Sequence, residues 1–173
     1  MFIVDSIKKE EATGELKLLY TMIEKSLGFI PPHFELFATI DLEAMKEFFV
    51  YNQYMMTHDK INKKLLPFIR LYIAKKECRT YCSSLNVKIL QAMGITQSVI
   101  DNIEEEIKNI PCEESQIVLL EGVIKALYEA ENFSKKDLEK LYTLGFSDKD
   151  FFDLLNYAST FTAKSKVIEA YLK

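Results

Sequence analysis

Apolar positions recur along this chain with the period of an α-helix rather than that of a strand. From Leu16 the set Leu16, Leu19, Tyr20, Ile23 and Leu27 follows the i, i+3, i+4, i+7 spacing of one helix face, and Gly28 ends it. A short helix is predicted from Pro31 with Phe34, Phe37 and Ala38 as its apolar face, since proline is harmless in a first turn whose amides lack intrahelical acceptors. Asp41 reads as the N-cap of a long helix through Phe48, Phe49, Tyr51, Tyr54, Met55 and Met56, apolar on more than one side. The next helix starts near Asn62 and carries Leu65, Leu66, Phe68, Ile69, Leu71, Tyr72 and Ile73. Pro67 inside that pattern means that the helix either begins later than Asn62 or kinks. Further helices are predicted over about 80–93, 97–108, 114–131, 135–144 and 148–171. Two of these starts carry an S-x-x-D arrangement close to a capping box, Ser134 with Asp137 and Ser147 with Asp150.

Three glycines punctuate the helical runs in the same way. Leu27-Gly28-Phe29, Met93-Gly94-Ile95 and Leu144-Gly145-Phe146 all read apolar-Gly-apolar, the pattern of a helix closed by a left-handed residue with an apolar side chain folding back on it. Gly94 and Gly145 lie 51 positions apart inside a longer match, ILQAMGITQSVIDNI against LEKLYTLGFSDKDFFDLL. This predicts two copies of one helix hairpin. The chemistry is not duplicated, because the second-copy position equivalent to Cys82 is Phe133.

Composition agrees with an all-α reading. Only 5 Gly and 4 Pro occur in 173 residues, too few for the many tight turns of a sandwich or barrel. Hydrophobic residues at 49% and charged residues at 28% are the balance of a folded globular chain. The expected organisation is a single domain over 1–173, with an N-terminal helical extension over about 1–60 and a core over about 61–173. Lys and Arg number 22 against 26 Asp and Glu, a net charge of −4 that argues against nucleic acid or an anionic membrane as partner. No apolar run approaches the roughly 20 residues of a bilayer span, and MFIVDSIKKEE turns acidic too soon for a signal peptide, so a cytoplasmic location is expected.

Candidate chemistry is confined to the three cysteines, an odd number that builds no disulfide framework. Cys112 follows Pro111 at a helix start and reads as structural. Cys78 and Cys82 lie four apart in KKECRTYCSSLN, where one helix ends and another begins. On a continuous helix that spacing shares a face at about 6 Å, near the upper limit of the Cα separation a disulfide bridges. In a first helical turn Cys82 would have its thiolate favoured by unpaired amides, the helix dipole and the charges of Lys75, Lys76 and Arg79, with Glu77 opposing. The other reading makes both cysteines small apolar fillers at a helix junction. His33 and His58 are expected at the surface or as caps, and no zinc-ligand spacing is present, so no metal or other cofactor is expected. There is no phosphate-binding glycine loop, nucleotide fingerprint or G-x-S-x-G elbow, and the Tyr and Phe residues at helical spacing read as core.

Three segments together cover most of the chain: GELKLLYTMIEKSLGFIPPHFELFATIDLEAMKEFF, the Tyr81-Cys82 helix junction, and GFSDKDFFDLLNYASTFTAKSKV. In these the sequence resembles the AhpD-like family of alkylhydroperoxidase D and carboxymuconolactone decarboxylase relatives, and especially its peroxidase-related branch. The resemblance implies an AhpD-like helical bundle, a homo-oligomer, a small hydroperoxide substrate, a thiol reductant protein and an antioxidant role. Active members carry Cys-x-x-Cys, a His four residues after the second Cys and an upstream acid in a proton relay. Carried over, Cys82 would attack the hydroperoxide and Cys78 would resolve it, with Asn86, Arg79 and Tyr81 in support.

The sequence departs from that motif in three places. Cys78 is displaced by one residue, an insertion that a single π-type turn could absorb. Asn86 stands where the family has its His, and an amide cannot accept a proton as a base. Residues 63–67, where the relay's acid falls, hold no carboxylate. No cluster for a substrate carboxylate supports muconolactone decarboxylation. Two functions therefore stand: a thiol-based hydroperoxide reductase or disulfide oxidoreductase, and a catalytically inactive oligomeric binding or structural protein.

Overall fold

The computed structural model describes residues 2–105 and 107–173, and among them it holds nine α-helices, two short 3-10 turns and no strand. The helices are α1 Gly14–Leu27, α2 Pro32–Ile40, α3 Leu42–Met56, α4 Leu65–Lys76, α5 Thr80–Ala92, α6 Gln97–Asp101, α7 Glu114–Tyr128, α8 Lys135–Thr143 and α9 Asp148–Ala170. No described helix is long and apolar enough to cross a membrane.

Two compact units divide the chain. The first runs to Tyr54 and takes in Ala170–Lys173; the second is Met55–Glu169. In the first unit, Leu19, Tyr20 and Ile23 from α1 meet Phe34 and Ala38 from α2 and Met45 and Phe49 from α3 in one buried cluster. The Tyr20 hydroxyl, deep among these side chains, donates to the Ile7 carbonyl at 2.9 Å. Asp41 caps α3 as expected, its Oδ1 accepting the Ala44 amide at 3.0 Å. His33 is not at the surface. It is buried, with Phe34 and Phe37 edge-on at 4.5 and 5.9 Å, because the pattern that buries Phe34 also turns this face of α2 inward.

The second unit is organised around α4, in which Leu65, Leu66, Pro67, Phe68, Ile69, Leu71, Ile73 and Ala74 are all buried. A helix apolar on nearly every side belongs at the centre of its unit. It begins at Leu65, so Pro67 falls in the first turn and needs no kink. His58 lies six residues before the N-cap position of α4, Lys64, and closes the turn that leads to it. Its Nδ1 accepts the amides of Lys60 and Ile61, both at 3.1 Å, which leaves Nε2 to carry the hydrogen and donate to Asp153 at 3.2 Å.

The duplicated hairpin is present. Ile95 N donates to Leu90 O and Gly94 N to Gln91 O; Phe146 N donates to Leu141 O and Gly145 N to Tyr142 O. Both are Schellman closures with a left-handed glycine, φ +80° and +86°. Gly28 ends α1 by the simpler closure, a single bond from its amide to Glu24 O. α4, α5 and α6 thus correspond to α7, α8 and the start of α9. Where the first copy has Cys82 the second has Phe133, whose ring stacks on Phe151 at 5.0 Å. Its counterpart to Cys78 is Glu129, at φ −137°.

Two predicted helices are shorter than their apolar pattern. The one expected over 97–108 stops at Asp101, followed by a 3-10 turn at Ile107–Asn109. At that end the Lys75 ammonium donates to the carbonyls of Ile100 and Asp101, at 2.8 and 2.9 Å. The one expected over 114–131 ends at Tyr128, and a 3-10 turn at Ala130–Asn132 leads to the Ser134 cap.

Both capping boxes form. At α8 the Ser134 amide and hydroxyl donate to Asp137 Oδ2, each at 2.8 Å, and at α9 Ser147 does the same to Asp150 at 2.7 Å. The Lys125 ammonium at 2.7 Å, and then the Ser134 donors, hold the Asp137 carboxyl down at about 2. A carboxyl lowered in the folded state adds stability above its unfolded value of about 3.9, and that stability is lost as pH falls through about 2. Asp137→Asn is therefore expected to show a shallower loss of stability between about pH 4 and 2 in urea titrations. Parallel acid limbs for the two proteins would contradict this.

Candidate functional site

The three-residue connection between α4 and α5 sets the geometry of the cysteine pair. α4 ends in a third Schellman closure: Arg79 N donates to Ala74 O at 2.7 Å and Cys78 N to Lys75 O at 3.0 Å. Cys78 occupies the left-handed position, φ +57°, the one described non-glycine residue in that region. The inserted residue is therefore absorbed by a left-handed turn and not by a π-type turn. Left-handed backbone costs a residue with a Cβ about 1 kcal/mol, and such outliers collect at functional sites.

The same turn separates the two sulfurs by environment. Cys78 is exposed, while Cys82, third residue of α5, is 2% exposed, and both are free thiols. A shallow, open cleft of about 450 Å³ lies at the junction, lined by Ala74, Lys75, Cys78, Thr80, Ser83, Ser84 and Glu104. Cys82 is not on its wall. The expected first-turn placement of Cys82 holds, yet its thiol is harder to ionise, not easier. Burial pushes it from about 9 up to about 11, and the nearby guanidiniums of Arg79 and Arg70 offset only part of that. Helix-end amides favour an anion by a few tenths to about 1 kcal/mol, too little to outweigh removal of the thiolate from water.

Asn86, 1% exposed and one turn after Cys82, does not turn its amide to the sulfur. Its Oδ1 accepts from Arg70 Nε at 2.8 Å and its Nδ2 donates to the Cys82 carbonyl at 2.9 Å. The orientation follows from the partners, since a guanidinium only donates and a carbonyl only accepts. Asn86 thus ties α5 to α4. Arg70 also donates to the Tyr157 hydroxyl of α9 and lies 5.9 Å from the centre of that ring. Among the described residues no carboxylate pairs with Arg70. Arg70 and Tyr157 escape a motif search, but Arg70 left one signal: it is the only charge in the apolar run LLPFIRLYIA.

Arg79 pairs with Glu169 and, at 3.4 Å, with Glu77, so it is an anchor of the turn more than a free charge beside the thiols. Glu77 in turn accepts from the Tyr128 hydroxyl at 3.1 Å, and burial together with that carboxylate pushes the Tyr128 phenol up. Tyr81, second residue of α5, is half-buried. The start of α4, where an upstream acid would sit, presents only buried Leu65, Leu66 and Pro67. Cys112 is half-buried, free and held up by burial. No group of three His, Cys, Asp or Glu among the described residues could hold a metal ion.

No protein-family model and no curated protein matches the chain. Solved structures do. An uncharacterized peroxidase-related protein from Silicibacter sp. TM1040 superposes with TM-score 0.76 at 20% identity, over 98% of this chain and 89% of that one. An uncharacterized peroxidase-related protein from Ralstonia eutropha JMP134, described as an alkylhydroperoxidase AhpD core, gives 0.77 at 17% identity, over 97% and 88%. A protein of unknown function from Agrobacterium tumefaciens, proposed to be an antioxidant defence protein AhpD, gives 0.61 at 16% identity, over 78% and 92%. At these identities the likeness is one of fold, and the AhpD-like helical fold expected from the sequence is the fold observed.

The environments of the two thiols lead to a direct expectation. Iodoacetamide should modify Cys78 promptly at pH 8, while Cys82 stays protected until the pH approaches about 11, as mapped by peptide mass. Equal rates at pH 8 would mean that Cys82 is neither buried nor held neutral.

Proposed function

We propose that this chain, which has the AhpD-like fold, reduces small hydroperoxides through Cys78 and Cys82. The observation that carries this reading is an exposed cysteine at a backbone position that favours glycine, on the wall of an open cleft, four residues before a second thiol. One thiolate attacks the outer peroxide oxygen, the O–O bond breaks, and the alkoxide leaves as alcohol with a proton from water. The sulfenic acid then condenses with the second thiol, forming the disulfide and releasing water. A thiol reductant protein would reopen the disulfide by exchange. Asn86, committed to Arg70 and the Cys82 carbonyl, does not serve the attacking thiol as a base, and the proton goes to solvent.

A second reading, an oligomeric binding or structural protein without the reaction, draws on the burial of Cys82 and the satisfied amide of Asn86. Support for self-association comes from exposed apolar side chains on helices of the first unit, Leu18 and Met22 on α1 and Val50 and Tyr54 on α3.

The experiment is a stoichiometric reaction of the reduced protein with cumene hydroperoxide, followed by thiol titration and peptide mapping. Loss of hydroperoxide with two thiols converted to a Cys78–Cys82 disulfide is expected. Unreacted peroxide with both thiols intact would end this reading. In the second reading, light scattering should return a mass of at least two chains, and a monomer would remove it.

A further inference from the structure

Resting on the reading of the pair as hydroperoxide-reducing, we propose that Cys78 is the attacking thiol and Cys82 the resolving one, the reverse of the order that the sequence resemblance implies. Access decides it. A hydroperoxide must bring its outer oxygen in line with the sulfur, and of the two sulfurs only that of Cys78 belongs to an exposed residue on the cleft wall. Cys82 is 2% exposed among the packed faces of α4 and α5, and the cost of ionising a buried thiol adds to the obstacle. A buried, neutral thiol is still a competent resolving group. It needs to lose its proton only as it attacks, when the sulfur of a sulfenic acid rather than a peroxide is its target.

The chemistry balances in two steps. The Cys78 thiolate takes the outer oxygen of ROOH, giving Cys78–SOH and, after protonation by water, ROH. The Cys82 sulfur then displaces hydroxide from the Cys78 sulfur, forming the S–S bond and losing its proton, so that water leaves.

The fold makes the required approach a local event. Thr80, Tyr81 and Cys82 form the first turn of α5, whose amides have no intrahelical acceptor. Bringing Cys82 out to Cys78 breaks the Ser83 amide bond to Arg79 O, the Asn86 Nδ2 bond to the Cys82 carbonyl and the helical bonds that the carbonyls of Thr80, Tyr81 and Cys82 accept, and leaves the turns of α5 beyond Asn86 in place. Arg70 keeps hold of Asn86 during this opening.

Two variants separate the roles. Cys82→Ala keeps a small apolar group in the buried site, and Cys78→Gly puts at the left-handed position the residue that such turns favour, so each is expected to fold. Each is treated with cumene hydroperoxide in the presence of dimedone, which traps sulfenic acid, and the adduct is located by peptide mass. The expected result is a Cys78 adduct in Cys82→Ala at the rate of hydroperoxide loss, with the Cys82 adduct in Cys78→Gly at least about tenfold slower. A Cys82 adduct in Cys78→Gly that forms as fast as, or faster than, the Cys78 adduct overturns the order while leaving the pair as the site. No adduct in either variant, with no hydroperoxide consumed by the unsubstituted protein, overturns the reading of the pair itself.

Discussion

The α4–α5 junction depends on one backbone constraint, the two hydrogen bonds that close α4 onto Cys78 and Arg79. They require a left-handed residue, and with only three residues between the helices there is no other place to make the turn. The closure lets α5 pack back along α4, which brings Asn86 to Arg70. It also sends the two thiols into different surroundings, one to the cleft and one to the core. A continuous helix would have kept both on a single face, and the difference between an accessible and a protected sulfur would not exist.

Burial and charge compete at Cys82, and burial wins. Two guanidiniums and a helix end all favour the thiolate, but Arg79 is already paired with Glu77 and Glu169, and Arg70 is engaged with Asn86 and Tyr157. What remains of their fields does not replace the water that the sulfur has lost. Arg70 itself is a cation in a mostly apolar helix, held by an amide, a phenol and an aromatic face in place of a carboxylate. That arrangement joins α4, α5 and α9 through neutral acceptors.

Features that depend on neighbours in sequence were legible before the structure. The Ser134 and Ser147 boxes, the Asp41 cap and the glycine stops at Gly28, Gly94 and Gly145 each involve groups within a few residues of one another, and each forms. Features that depend on distant partners were not. The ammonium that meets the Asp101 carbonyl at the end of α6 comes from Lys75, twenty-six positions earlier. The Arg70–Tyr157 bond spans 87 positions and obeys no periodicity. The environment of Cys82 was misjudged for the same reason: its place in the first turn is local information, whereas its burial is set by what α4 and α5 lay against each other. Cys78 was hidden differently, since glycine is what a left-handed closure leads one to look for.

The duplicated hairpin carries its own control experiment. In the second copy the helices are joined by residues 129–134 instead of 77–79, Glu129 keeps a negative φ, and the buried cysteine is a phenylalanine stacked on Phe151. A hairpin of this design therefore closes without a left-handed residue and without sulfur, provided its link is long enough. The short link of the first copy is thus not demanded by the architecture. What it adds is direction: the second copy keeps the same four-residue spacing, 129 to 133, with no left-handed residue, whereas the short link turns Cys78 out to the cleft while Cys82 goes to the core.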